Sequence, residues 1–177
     1  MRLFIALNFD EKELDMFEAA RDRLRAAAGR ANYSRRENLH LTLAFLGEQP
    51  GSRLPDVEAA MRAASAGTTG FRLSFDHAGR FRRDEGDIWW LGAAASAELS
   101  SLHRKLASEL SAGGFELEKR RFTPHLTLAR RVYGSADAAL ILPEPVKAEV
   151  GGMSLMLSER PEGRLRYTEL FYSGFAR

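Results

Sequence analysis

Arg35-Arg36-Glu37-Asn38-Leu39-His40-Leu41-Thr42-Leu43-Ala44 returns in the second half of the chain as Arg120-Arg121-Phe122-Thr123-Pro124-His125-Leu126-Thr127-Leu128-Ala129. The two stretches share Arg-Arg and then His-Leu-Thr-Leu-Ala at the same offset, with the histidines 85 positions apart. Side chains of an extended strand alternate between faces. His40 and Thr42 therefore share one face, and Leu41 and Leu43 the other. His125 and Thr127 stand in the same way against Leu126 and Leu128. The leucine face can pack on a core while the His/Thr face looks into a cleft. With 4 His, 24 Leu and 6 Thr among 177 residues, a second His-Leu-Thr-Leu arises by chance about once in 400 such chains. A repeated structural strand needs the leucines. It does not need a His and a Thr on its polar face, so the repeat points to a site.

Working outward, Leu3 to Phe9 is apolar and β-rich, and Asp10 is placed to cap a helix from Glu11 to Ala28. Leu14, Phe17, Arg21 and Leu24 recur there at helical spacing, and Gly29 ends it. The first motif strand runs to Leu46 and breaks at Gly47, Pro50 and Gly51. A second helix fits Leu54 to Ala66, stopped by Gly67-Thr68-Thr69-Gly70. Phe71 to Phe75 and Ile88 to Leu91 form a hairpin around the polar turn Arg82 to Gly86. A third helix covers Ser96 to Ala112, with Leu99, Leu102, Leu106 and Leu110 on one face. After the second motif strand come a short helix in Ser135 to Leu140, a strand Val146 to Leu157 kinked at Gly151-Gly152, and a last strand Arg164 to Phe175. The order predicts one α+β domain over 1–177, bilobal, with two mostly antiparallel sheets, outer helices and a central cleft. An inverted duplication would bring the two His-x-Thr faces together about a pseudo-two-fold axis.

The composition is that of an ordinary soluble protein, 45% hydrophobic and 28% charged. Cysteine is absent, which excludes disulfides, thiolate nucleophiles and thiolate-bound zinc. No apolar run is long enough for a membrane span. Met1 to Leu7 is too short for a signal peptide and runs into an acidic segment, so a cytoplasmic location is expected. The net charge is only +2, yet basic residues cluster at Arg35-Arg36, at Arg80 with Arg82-Arg83, at Lys119-Arg120-Arg121 and at Arg130-Arg131. The pairs tied to the motif suggest an anionic ligand such as phosphate or a short nucleic acid.

Two imidazoles facing one pocket suit acid–base work near neutral pH, one neutral and one protonated. The threonine hydroxyls can donate to phosphate oxygens where charge grows. Such a pair could serve in-line displacement at phosphorus without a metal. A metal hydrolase is the poorer reading, since the four histidines show neither an HxH nor an HExxH spacing. A non-catalytic RNA-end or nucleotide-binding module remains open. Among the other residues, Trp89 and Trp90 face opposite ways in a strand, one into the core. Tyr167 and Phe171 are weak candidates for base stacking. Strict alternation turns Phe45 and Arg130 away from the His face, Phe45 towards the core, so that Arg130 needs a bulge to reach phosphate. His77 and His103 lack a Thr partner, and His103 reads as a surface residue. Ser158 and Lys119 could border the pocket.

Leu3-Phe4-Ile5-Ala6-Leu7, Glu37 to Gly47 and Thr123 to Arg130 resemble the two-histidine phosphoesterase superfamily, and within it the RNA 2′,3′-cyclic phosphodiesterases historically called 2′-5′ RNA ligases. The resemblance spans nearly the whole chain. It implies a bilobal fold, no cofactor and no metal. It also implies hydrolysis of the 2′,3′-cyclic phosphate of an RNA end, oligonucleotide or nucleoside to a 2′-phosphomonoester, by a monomer. His40 would be the proton donor to the 3′ oxygen and His125 the proton acceptor from water. Thr42 and Thr127 would hold the phosphate, with Arg130 beside them. The donor and acceptor roles follow from the resemblance alone, because the repeat is symmetric. Reversible ligation of RNA through the same site is a further implication. Family members often carry a Trp and a Pro before the first motif, where this chain has Tyr33, Arg35 and Arg36.

Overall fold

The computed structural model describes all 177 residues. Helix α1 (Glu11–Ala28) shows how closely local chemistry sets the boundaries. The Asp10 carboxylate accepts from the backbone N–H of Lys12 and Glu13, while Glu13 accepts from the Asp10 N–H. This closed capping box satisfies donors that a helix start otherwise leaves open. Phe17, Ala20 and Leu24 on its inner face are fully buried. The other long helices, α2 (Leu54–Ser65) and α3 (Ala97–Ala112, capped by Ser96), follow the predicted spans to within a residue. A single turn, α4 (Ala138–Ile141), begins within the region expected to hold a short helix and ends one residue past it.

The strands are β1 (Arg2–Leu7), β2 (Asn32–Tyr33), β3 (Leu41–Glu48), β4 (Phe71–Phe81), β5 (Asp87–Ala93), β6 (His125–Val132), β7 (Val146–Val150), β8 (Gly152–Glu159) and β9 (Arg166–Gly174). Eight of them form one curled antiparallel path, β7-β4-β5-β6-β3-β1-β8-β9, with β2 added beside β6. The two antiparallel halves expected from the sequence are present, as β7-β4-β5-β6 and β3-β1-β8-β9. They join at the centre through one register pair, Leu41 opposite Leu126. The motif strands thus lie side by side and antiparallel about that pair, which is where an inverted repeat must put its axis.

The stretch Val146 to Leu157 is not one kinked strand. It breaks at Gly151, and its two parts go to opposite halves: β7 pairs with β4, and β8 pairs with β1 and β9. The core-facing phase changes there, from Val146, Ala148 and Val150 to Met153 and Leu155, and the Gly151-Gly152 pair that reads as a kink is the crossover.

The convex face carries the core and the helices. Leu3, Ile5, Leu7, Leu41, Leu91, Leu126 and Leu128 point into one cluster with Phe17, Leu99, Leu102 and Leu106. Each buried leucine contributes about 1.5–3 kcal/mol through removal from water. Helices α1 and α4 cover the half containing β6 and β7, and α2 with its neighbour α3 covers the half containing β8 and β9. Helix α1 crosses from β1 to the other half, while α2 packs on the half that contains β3, the strand it follows. The concave face is left open.

Candidate active site

On the concave face the two histidines have matching surroundings. The Nδ1–H of His40 donates to the carbonyl oxygen of Asn38 at 2.8 Å, and that of His125 donates to the carbonyl oxygen of Thr123 at 2.6 Å. A carbonyl can only accept, so both rings carry their proton on Nδ1 and present Nε2. Each ring also leans on two aromatic side chains. His40 lies 4.9 Å from Phe4 and 5.1 Å, edge-on, from Tyr167. His125 lies 5.1 Å, edge-on, from Phe81 and 6.0 Å from Trp90. Neighbouring strands supply equivalent walls: β1 gives Phe4 beside β3, and β5 gives Trp90 beside β6. Tyr167 was a weak candidate in the sequence. Phe4, Phe81 and Asn38 were missed, although alternation along Leu3 to Leu7 already sets Phe4 opposite the core residues Leu3 and Ile5.

Thr42 and Thr127 line the same cavity as His125, a space of about 450 Å³. Continuing the central register by one residue in each direction sets His40 across from Thr127 and Thr42 across from His125. The Thr42 hydroxyl donates to Nε2 of His40 at 3.0 Å. The two rings and Arg130 are near enough to act on one another electrically. The positive charge of Arg130 opposes protonation of both histidines, and His125 opposes protonation of His40. Burial is the larger cause in each case. It pulls His40 down to about 4 and lowers His125 as well. In the ligand-free protein both are therefore neutral at pH 7, and His40 takes up a proton less readily than His125.

Arg130 lines the cavity, and so does Phe45, which is 46% exposed. Strict alternation predicted that both would face away. Each is turned round by a β-bulge. Between β1 and β3, Ile5 pairs with Ala44 but Ala6 pairs with Thr42, leaving Leu43 as an extra residue. Between β5 and β6, Trp89 pairs with Ala129 but Trp90 pairs with Thr127, leaving Leu128 extra. An extra residue shifts the side-chain phase by one. Phe45 is thus a wall of the cleft and not part of the core. Arg131, directly after Arg130, takes φ +56°, a left-handed conformation that further distorts the strand end.

The remaining expectations divide. Trp89 is in the core, and Trp90, 9% exposed, is packed under Phe81 and beside His125, with little face free for a base. Gly79 and Gly92 make room for this wall: a Cβ at Gly79 would lie 2.4 Å from the Trp90 ring, and one at Gly92 would lie 2.2 Å from the His77 ring. Phe171 packs against the core, with the Arg62 guanidinium 4.4 Å from its ring centre, and does not reach the cleft. His103 is not a free surface residue. It stacks on Phe122 at 3.9 Å with the rings nearly parallel and borders the cavity. Ser158 lies in a neighbouring cavity that shares Phe45 and Arg130 with the first, while Lys119 lines neither. Arg36 is no phosphate ligand: it is held by Glu11, Asp15 and Glu18 and ties the approach to β3 onto α1. Arg120 is bound bidentately by Glu118.

Residues 13–162 match the 2′-5′ RNA ligase superfamily. The chain belongs to this superfamily. A Methanothermobacter thermautotrophicus protein named RNA 2′,3′-cyclic phosphodiesterase is 32% identical over 96% of both chains. A Geobacillus stearothermophilus protein of the same name is 37% identical over 56% of this chain, and the match spans 32% of that protein. A crystal structure of Escherichia coli LigT complexed with 3′-AMP superimposes with a TM-score of 0.79 at 30% identity, covering 99% of this chain and 98% of that one. Superfamily membership agrees with the bilobal α+β architecture, and no helix is long and apolar enough to cross a membrane.

Proposed function

We propose that the protein is an RNA 2′,3′-cyclic phosphodiesterase that opens the cyclic phosphate to a 2′-phosphomonoester by general acid–base catalysis, with residues 1–177 acting as one bilobal unit. The observation that carries this reading is the pair of imidazoles on adjacent central strands, each with Nδ1 pinned by a carbonyl, His125 lining the cleft with Thr42, Thr127 and Arg130, and His40 joined to that cleft through the Thr42 hydroxyl on its Nε2. The relatives named above carry this activity in their names.

In this reading the cyclic phosphate sits between the two rings. Thr42, Thr127 and Arg130 donate to its non-bridging oxygens and stabilise the charge that grows there. His125 takes a proton from water through Nε2 as the water oxygen bonds to phosphorus. The P–O3′ bond breaks on the opposite side, and His40 gives a proton to the departing 3′ oxygen. One proton enters the pair and one leaves it, so the enzyme ends with the two protonation states exchanged. His40 must be protonated to act, which its burial resists. The anionic substrate offsets this, since a negative phosphate beside the ring favours the charged form.

The stronger lowering of His40 also favours a second reading, in which His125 is the donor and His40 the acceptor. With O3′ turned towards His125 instead, the reversed pair breaks the same P–O3′ bond and gives the same 2′-phosphomonoester. A bridging 3′-phosphorothiolate, whose thiolate departs without a proton, separates the two: it should restore activity to His40→Ala in the first reading and to His125→Ala in the second.

The monomer expected from the sequence is checked by size-exclusion chromatography with light scattering. The cytoplasmic location expected from the sequence fits an RNA substrate and is checked by cell fractionation. The deciding experiment is hydrolysis of a nucleoside 2′,3′-cyclic phosphate in excess chelator. The reading expects turnover, and a loss of about 10²–10⁴-fold in kcat for His40→Ala and for His125→Ala. Undiminished activity in both variants would overturn it.

A further inference from the structure

The cavity at His125 does not end at the reacting groups. It runs on beneath the tip of the β4–β5 hairpin and the segment before β6, where Arg83 and Arg121 line it together with Phe81, Ile88 and Phe122. Most of the chain's surface arginines near acidic groups are committed: Arg36, Arg53, Arg62, Arg72, Arg80 and Arg120 all have carboxylate partners within 3 Å. Arg83 and Arg121 have none. The Arg83 guanidinium donates only to the backbone oxygen of its neighbour Arg82 and lies 5.9 Å from the Phe81 ring centre, while its backbone N–H donates to the Asp87 carboxylate at 3.4 Å. One carboxylate lines the cavity, that of Glu118, and Arg120 closes it with two hydrogen bonds of 2.9 and 3.0 Å. The extension therefore offers two uncompensated guanidinium groups between apolar and aromatic walls. This is more positive charge than one cyclic phosphate, already met by Arg130, can use.

We infer that Arg83 and Arg121 form a second phosphate subsite, which receives the phosphate on the 5′ side of the terminal nucleotide. An RNA end is then turned over faster than an isolated nucleoside cyclic phosphate. The inference rests on the reading of His40 and His125 given above and adds to it the two residues that meet the upstream phosphate. Guanidinium forks suit phosphate oxygens, and aromatic walls between basic groups suit a single strand that presents bases and phosphates in turn. Glu118 does not oppose an incoming anion, because its charge is neutralised within the same loop.

The test compares three substrates with one protein preparation: adenosine 2′,3′-cyclic phosphate, the same compound bearing a 5′-phosphate, and a dinucleotide ending in the cyclic phosphate. The unmodified chain is expected to show kcat/KM higher by roughly ten- to hundredfold for the dinucleotide than for the nucleoside, the range for hydrogen bonds to charged groups. In Arg83→Gln with Arg121→Gln that ratio should fall towards one. Because the read-out is a ratio, partial loss of folded protein cancels. A gain for the 5′-phosphorylated nucleoside equal to that for the dinucleotide assigns the preference to the phosphate itself. A gain for the dinucleotide alone, still lost in the double variant, assigns it to an internucleotide phosphate. Equal kcat/KM for all three substrates, or a preference that survives the double variant, overturns the subsite. Binding supplies a read-out independent of turnover. Affinity of the double variant for a dinucleotide 3′-phosphate should show a log–log salt slope shallower by about 0.7 per lost contact, and an unchanged slope again overturns it. Failure of all three substrates to react would instead strike the catalytic reading, and the salt slope would still decide whether the subsite exists.

Discussion

Phe45 and Arg130 are separated by the same spacing as His40 and His125, and each is turned into the cleft by a bulge two residues before it, at Leu43 and at Leu128. The repeat thus extends past its shared letters. Its backbone irregularity is duplicated even where the side chains differ, so that one lobe offers an aromatic ring where the other offers a cation.

Because Arg130 depresses both histidines, Arg130→Gln should act in two ways. Loss of its hydrogen bonds to phosphate should reduce kcat/KM by roughly ten- to hundredfold. Loss of its charge should let both rings bind protons more readily, moving the alkaline limb of the pH–kcat/KM profile to higher pH. Steady-state kinetics across pH 4–9 checks both effects. A merely structural role would leave the limb in place.

The unmodified protein should be most active, by kcat/KM, below pH 6.5. The productive form carries one proton on the histidine pair, and in the free protein burial lowers both sites from 6.5, His40 to about 4. Above the higher of the two, kcat/KM should fall about tenfold per pH unit. The profile of kcat should be shifted to higher pH, since bound phosphate favours the protonated rings.

The same burial gives the fold a pH dependence of known sign. His40 binds its proton more weakly folded than unfolded, so the unfolded chain holds more protons between about pH 4 and 6.5. Stability is then fully present above 6.5 and is lost as the pH falls through that window, by up to about 3 kcal/mol from this ring. Urea titrations at pH 7.5 and pH 4.5 should differ in that direction, and His40→Phe should reduce the difference.

Gly79→Ala should destabilise the protein, although glycine replacement in a strand ordinarily stabilises it. The added methyl meets the Trp90 ring at 2.4, 2.7 and 2.9 Å, and relieving such overpacking costs about 1–3 kcal/mol. Trp90 would shift against His125, so the melting temperature and the activity should fall together. Phe45→Ala offers the contrast. Its ring is half exposed, so the melting temperature should change little, where a core phenylalanine would cost about 3–5 kcal/mol.

Arg36→Ala separates structure from catalysis. Its partners Glu11, Asp15 and Glu18 lie on α1, so the variant should melt at a lower temperature and keep its KM for the cyclic phosphate. A raised KM with unchanged melting would return Arg36 to the site.

The sequence alone was enough for the helices, the motif strands and the assignment of His40, Thr42, His125 and Thr127 to one kind of face, because those features depend on periodicity and capping within a few residues. Capping by Asp10 and the leucine alternation of the two motifs survive in the structure, while Ser96, read as the first residue of its helix, caps it. Tertiary structure decided the rest. Whether an arginine such as Arg36 or Arg130 is spent on a carboxylate or free for a phosphate depends on what another element brings to it. The separation of β7 from β8 depends on which edges of the sheet are still unpaired. The bulges that expose Phe45 and Arg130 are properties of a pair of strands, and no single strand carries the signal of its partner's register.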